Sequence, residues 1–512
     1  MDNKNSKNKV TSEKVKKLML NLWPFAKKDK PVYNLKSISI PRTSGRTLKI
    51  LVSLLRTPGI RLLLIPLLLK QAGLPSLRKS KVKDYPVMEP IHPVESKITS
   101  AASRKSIKEF LDSVKNKPQA VLAGKNLKLA KQSLFQPETA ADFHRAYLDG
   151  KTTPVDVAMR LLDIVRSIEE SAVPLRPFIA WEERELMQQA KASTERYERG
   201  EPLGILDGVP ISVKDELDML PFPTMAGSKF YNTQPPEQDA TSVARLRSAG
   251  ALMVGKTNMH EIGLGVTGLN VHYGTTRNPH HLDHYPGGSS SGSAVAVAAG
   301  LSPIALGLDG GGSIRIPASL CGVVGLKTTW GRISSAGAAP LSWSVSTVGP
   351  ITSTADDAAL AYSFLAGPDP RQLRTQNQPS VDLQDFNNTN LTGVKLGVFS
   401  AWFNHASTDI VQNCERMLDA FKAQGATIKE IEIPQLNEVH IAQIVTILTE
   451  MLTSLQPYFK TFRQPFGLDA LLSLTLAKEF TGRDYVKAQR IRGELIRNLT
   501  KIYQQVDLIV TP

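Results

Sequence analysis

The sequence predicts an α/β fold with a central sheet covered by helices, and three observations carry that expectation. From about residue 140 onward, helical apolar spacing alternates with short strand-like apolar runs. The stretch 287–337 holds 12 of the 35 glycines in 51 residues. It also encloses a helical Ala/Val run at 294–299 and a strand-like run at 304–308, so it reads as a core where backbones approach closely and not as a linker. A chain of 512 residues that is 41% apolar and 21% charged has the composition of a globular protein with room for a large core.

Two cysteines, Cys321 and Cys414, are too few for a disulfide framework or a thiolate metal cluster, and they suit a reducing compartment. The first fifty residues lack the short apolar core and small-residue cleavage site of a secretory signal, so the expectation is an intracellular chain. The formal charge is +15, and residues 1–80 alone carry 18 Lys/Arg against 3 Asp/Glu. The rest of the chain is therefore neutral overall. An enzyme working on nucleic acid would spread that basicity over its working surface, which makes nucleic acid an unsuitable partner.

In chain order, residues 1–47 form a basic arm, with Lys4, Lys7, Lys9, Lys14, Lys16 and Lys17 among its charges. Residues 48–139 comprise an apolar helical extension and a connector. The Leu-rich tract 48–77 is interrupted by Arg56, Pro58, Arg61 and Pro66, and no stretch reaches the roughly 20 apolar residues of a spanning helix. Two readings stay open and are compatible: an apolar face lying on a membrane with Lys and Arg drawn to anionic headgroups, or a helical cover packed on the core. Residues 81–136, with Pro86, Pro90, Pro93 and Pro118, read as a connector carrying short helices.

The compact part spans 140–512. Thr153-Pro154 with Asp156 is a helix start, followed by Val157, Leu161, Ile164, Val165 and Ile168 at helical spacing. A helix is expected over 182–197, an apolar segment over 206–213, a helix over 242–248 ended by Gly250, and a strand over 251–254. Strands over 394–399 and 427–433 flank a helix at 409–422. Helical patterns follow at 441–455 and 485–504, and 507–512 is strand-like.

Three segments carry chemistry. Lys214 ends an apolar β segment, where lost hydration disfavours an ammonium and frees the amine to act as a base. Gly287-Gly288-Ser289-Ser290-Ser291-Gly292-Ser293 opens the small-residue helix, whose N-terminus offers free N–H groups. Asp309-Gly310-Gly311-Gly312-Ser313-Ile314-Arg315 follows the 304–308 run and can set a hydroxyl beside consecutive backbone N–H groups, as an oxyanion requires. Each of the last two, taken alone, is more economically a flexible loop.

Together these segments resemble the amidase signature family, from about residue 140 to the last residue. The likeness rests on Gly208-Val209-Pro210-Ile211-Ser212-Val213-Lys214-Asp215, the Gly288-Ser289-Ser290 turn, the 309–318 segment and Cys321-Gly322-Val323-Val324-Gly325-Leu326-Lys327-Thr328. It implies the amidase signature fold, a central mixed β-sheet covered by helices with a helical N-terminal extension. It also implies a catalytic set on Lys214, Ser289 (in a cis Gly-Ser peptide) and Ser313, with Ser313 as nucleophile and the N–H groups of Gly310, Gly311, Gly312 and Ser313 holding the oxyanion. Ser290, Asp309 and Arg315 are supporting residues, and no cofactor or metal is implied.

Within the family the chain is most similar to the plant-type branch of fatty acid amide hydrolases, through Lys256-Thr257-Asn258-Met259-His260-Glu261, Tyr273-Gly274-Thr275-Thr276-Arg277-Asn278-Pro279 and Thr328-Thr329-Trp330-Gly331-Arg332. The implied substrates are N-acylethanolamines and related fatty amides, met at a membrane surface through the N-terminal extension by a peripheral membrane protein. A homodimer is compatible with the resemblance alone. The resemblance further implies a domain that continues for about a hundred residues past Pro512. The other readings are an amidase for glutamine or a small amide, and a truncated, silent binding protein.

Gly288-Ser289-Ser290-Ser291-Gly292 also satisfies the G-x-S-x-G pattern, which would make Ser290 the nucleophile of an α/β-hydrolase, but only His405 and His440 follow as partners. His280, His281 and His284, between Pro279 and Pro286, read as a surface loop and not as a metal site. No Gly-Lys-Ser/Thr follows the glycine block at P-loop spacing.

Overall fold

The computed structural model describes residues 33–36, 44–80, 100–116, 138–459 and 466–512. Most of the basic arm and of the 81–136 connector lies outside these residues. Six strands build the main sheet: β1 (Phe178–Trp181), β2 (Pro210–Lys214), β3 (Leu252–Thr257), β4 (Ile304–Asp309), β5 (Val324–Gly325) and β6 (Thr347–Thr352). Their order is β1-β3-β2-β4-β6-β5. β2 runs parallel to both β3 and β4, whereas β1 on β3, β6 on β4 and β5 on β6 are antiparallel, so the sheet is mixed as expected. Every residue of β2, β3, β4 and β6 is buried, the pattern of strands covered on both faces.

One face is covered by the helices Pro154–Glu170 and Glu183–Glu198. The first starts as the sequence predicts: Thr153 Oγ1 accepts from Asp156 N at 3.1 Å and Thr153 N donates to Asp156 Oδ2 at 3.0 Å. Leu161, Leu162, Val165, Leu186 and Ala190 then pack on Leu252 and Val254 of β3. The helix Ser291–Ala298 is buried at all eight residues, which only small side chains permit, and packs against Ala305, Ile314 and Ile351. A second, parallel sheet has the order β8-β7-β9, from β7 (Lys395–Val398), β8 (Thr427–Glu430) and β9 (Leu508–Val510).

The Leu-rich tract forms three helices, Gly45–Arg56, Pro58–Gln71 and Leu74–Lys79, the first two meeting at a 118° bend. Among the described residues no single helix is long and apolar enough to cross a membrane. The tract packs on the core along one side and leaves leucines exposed along the other. Val52, Leu55, Ile65 and Leu68 lie on Leu471, Leu472 and Leu476 of the helix Leu468–Ala477. Ile50, Leu62, Leu63 and Leu67 face outward, Leu62 and Leu63 more than three-quarters exposed at 76% and 79%. Arg78 anchors the tract through two 2.9 Å bonds to Asp484. Within the connector, the described helix Ser100–Asn116 does more than join segments, since Phe110 and Val114 enter the main core beside Phe143.

Asp357 joins two helices of this core. Thr354 Oγ1 accepts from Asp357 N at 3.1 Å at the start of the helix Ala355–Leu365, and the Asp357 carboxylate accepts from Ala140 N, the first N–H of the helix Ala140–Leu148, at 3.0 Å. Burial pushes its carboxyl up to about 7, against the bonds from Ala140 and Thr354. The folded chain thus holds this proton more tightly than the unfolded chain, whose carboxyl titrates near 4. The resulting stabilisation is complete below about pH 4 and is lost as pH rises toward 7. Asp357→Asn keeps an acceptor for Ala140 without the charge. Its melting temperature should exceed the parent's by about 2 °C or more at pH 8, with the gap shrinking by pH 5.5; a gap independent of pH would contradict the titration.

Candidate active site

The predicted residues converge where the parallel strands β2 and β4 end. Lys214, the last residue of β2, is fully buried, and its Nζ donates to Ser289 Oγ at 2.8 Å and to Leu308 O of β4 at 3.3 Å. A third partner is the carboxylate of Glu216, with Oε2 at 2.7 Å. Ser289 follows a cis Gly288–Ser289 peptide, the isomer the resemblance implied, and its carbonyl accepts from His260 N at 3.1 Å. The fit is tight enough to explain the glycines. A Cβ on Gly288 would lie 2.7 Å from Gly268 N, and one on Gly292 would lie 2.5 Å from Asn258 N and 2.7 Å from its carbonyl oxygen.

Ser313 sits half-buried in the turn after β4, and its carbonyl accepts from Ser290 N at 3.1 Å, which ties the two serine-bearing turns together. Asp309 shapes this turn by accepting from Gly312 N at 2.7 Å, from Ile314 N at 3.1 Å and from Arg315 Nε and Nη2 at 3.0 Å. Burial alone would raise the Asp309 carboxyl, but the Arg315 guanidinium and these N–H groups outweigh it and hold the carboxyl below its ordinary value. One expectation is corrected: the N–H of Gly312 is taken by Asp309 and is not free for an oxyanion. Those of Gly310, Gly311 and Ser313 have no protein acceptor among the described residues. Behind the turn, Gln443 of the helix Leu436–Ser454 donates to Gly310 O at 2.6 Å. An open cavity of about 330 Å³ adjoins Gly310 and Gly311, with Lys327, Trp330 and Arg492 on its walls.

Ser290 is hydrogen-bonded through both its main chain and its side chain. Its N–H holds Ser313, while its hydroxyl is fully buried and lies 3.4 Å from both N and O of Leu308. That is no nucleophile elbow. His405 lies beside Tyr33, and His280 Nε2 is bonded to Cys321 O at 2.8 Å while His281 and His284 stack edge to face.

Two features escaped sequence reasoning. Glu216 is one; three consecutive charged residues after an apolar run, Lys214-Asp215-Glu216, were the available signal. The other is a second buried ion pair, Lys256 to Asp215 at 3.4 Å, in which burial pushes the lysine down and the carboxyl up. Beyond them, His260 Nε2 meets Asp469 Oδ2 at 2.9 Å and Glu261 Oε2 accepts from Gly467 N at 2.7 Å, which fastens the helix Leu468–Ala477 to the segment after β3.

A mixed sheet thus delivers a buried lysine to a serine in a cis peptide, beside a glycine turn in which three N–H groups have no protein acceptor among the described residues. The chain belongs to the amidase signature family: the family model described as Amidase matches residues 163–512. It is 36% identical over 496 residues to a fatty acid amide hydrolase of Arabidopsis thaliana, covering 94% of this chain and 81% of that protein. It is 41% identical over 379 residues to a fatty acid amide hydrolase of Oryza sativa subsp. indica, covering 72% of this chain and 62% of the rice protein. Among solved structures it is similar to native peptide amidase from Stenotrophomonas maltophilia, with 29% identity, a TM-score of 0.61, and coverage of 71% and 79% of the two chains.

The packing at Gly292 is testable. Gly292→Ala should lower the melting temperature by about 3 °C or more, as overpacking against main chain does. Gly482→Ala, whose added carbon meets nothing within 4 Å, should not. Equal melting temperatures for both variants would contradict the close approach.

Proposed function

We propose that the chain hydrolyses fatty acid amides, N-acylethanolamines and related lipids, to free fatty acid and amine through an acyl-enzyme on Ser313. The observation that carries this reading is the 2.8 Å bond between buried Lys214 and Ser289, set beside the Ser313 turn. Neutral Lys214 takes the proton of Ser289 as Ser289 takes that of Ser313, and Ser313 Oγ attacks the amide carbonyl. The N–H groups of Gly310, Gly311 and Ser313 are placed to receive the oxyanion. When the tetrahedral species collapses, Ser289 returns a proton to the departing nitrogen, and water then releases the acid by the same relay in reverse. The fatty substrate is supported by the names of the plant relatives and by the exposed leucines of the N-terminal helices. Leu62, Leu63 and Leu67 with nearby Arg56 and Lys70 suit a lipid surface with anionic headgroups, from which the substrate would be drawn.

A fluorophosphonate bearing a long alkyl chain should label Ser313, located by peptide mass spectrometry, and labelling should fall about a hundredfold or more in Lys214→Ala and Ser289→Ala. An adduct on Ser290 would sink the assignment. A long-chain N-acylethanolamine should be hydrolysed in preference to glutamine; the reverse preference would place the chain with the small-amide amidases. Replacing Leu62 and Leu63 together by Glu should reduce co-sedimentation with anionic phospholipid vesicles about tenfold or more, and unchanged binding would remove the membrane role of this face.

A further inference from the structure

Glu216 has no part in the relay just described, yet its carboxylate is buried at 4% exposure and lies closer to Lys214 Nζ than Ser289 does, at 2.7 Å against 2.8 Å. An ammonium has three N–H groups. Nζ is hydrogen-bonded to Ser289 Oγ and Leu308 O, and Glu216 Oε2 stands beside it as an ion-pair partner, so an ammonium formed here meets two hydrogen-bond acceptors and one counter-charge. Of the three, only the Glu216 carboxylate carries charge. A buried carboxylate at this distance favours the ammonium over the amine, and a buried charge is tolerated only with such a partner.

We propose that Glu216 is a positioning residue of the relay, the counter-charge that sets the pH range in which Lys214 works and that holds the ammonium formed when Lys214 takes the proton from Ser289. This rests on the Ser313 reading above. The chemistry balances without any further reactant. The Ser313 proton passes to Ser289, the Ser289 proton passes to Lys214, and the resulting ammonium is neutralised by Glu216; when the amine leaves, Ser289 gives its proton to the departing nitrogen and Lys214 returns the other to Ser289. Glu216 itself neither gains nor loses a proton.

Few other groups can take this role. In the loop before the helix Thr241–Ser248, burial first, then nearby charges including Glu216 and Asp218, push the Tyr231 phenol up, so it stays neutral. From the 3-10 turn Glu261–Gly263 the Gly263 backbone approaches; a Cβ there would lie 3.4 Å from Glu216 Oε1 and 3.6 Å from Ser289 Oγ. Glu261 in that turn is engaged by His272 and Gly467. Asp215, between Lys214 and Glu216 in sequence, is paired with Lys256, and Asp309 at the end of β4 is paired with Arg315.

The test is the pH dependence of the fluorophosphonate labelling rate at Ser313, which does not depend on the natural substrate. In Glu216→Gln the acid limb of the rate profile should move to lower pH by about one unit or more, because the ammonium has lost its partner, and the plateau rate should fall about tenfold. Glu216→Asp keeps the charge on an arm one methylene shorter and should fall between the two; it carries the test alone if the Gln variant does not fold. A limb that stays in place or moves to higher pH, with only the rate reduced, would overturn the proposal and leave Glu216 a packing residue. No labelling of Ser313 in the parent protein would instead overturn the nucleophile assignment, which separates the two failures.

Discussion

The site depends on one long polar side chain taken fully out of water. Its amine loses its hydration on burial, so Lys214 can sit at the end of β2 only if its surroundings return that energy as directed contacts. The mixed sheet supplies them. Parallel pairing of β2 with β4 brings the Leu308 carbonyl to the lysine, and the turn after β4 carries Ser313 alongside. The cis peptide turns the Ser289 hydroxyl toward the same nitrogen. Few side chains could be exchanged without leaving a buried donor or acceptor unmatched, which is a larger penalty than the net worth of the bond that was lost.

The glycines follow from the same constraint. Two turns and the N-terminus of a helix must crowd around one lysine, and their main chains come closer than any Cβ allows. Gly292 lies against the Asn258 backbone, Gly268 against the Gly287 carbonyl with φ near +78°, and Gly307 against the Ser290 hydroxyl. The Ala/Val composition of the helix Ser291–Ala298 has the same origin, because a bulkier helix would push the Ser289 turn away from β2.

Much of this was legible in the sequence, for identifiable reasons. Local rules located the capped helix after Thr153 and the strands carrying Lys214 and Asp309, since each has a clear start, a clear period or a charged residue closing an apolar run. β6 was illegible because it contains Gly349 and Pro350, which locally argue against a strand; it forms because β4 pairs with it along its whole length. β1 is four residues whose register depends on a partner some eighty residues away, and no local signal encodes that pairing. At the site, Lys214, Ser289 and Ser313 were found through their motifs. The contact of Glu216 with Lys214 was not, because it is fixed by the bend of the chain leaving β2 and not by a spacing. The use of the Gly312 N–H by Asp309 likewise becomes visible only once the turn is folded.

The N-terminal helices bear on handling the protein as well as on its chemistry. They cover Leu471, Leu472 and Leu476, on a helix that Asp469 and Gly467 fasten to the segment holding the Ser289 carbonyl. Cutting the chain after the bend would not detach an optional appendage. It would lay an oily strip of leucines bare one helix away from the Ser289 turn, and a shortened protein would be prone to clump through that strip before any activity could be assayed.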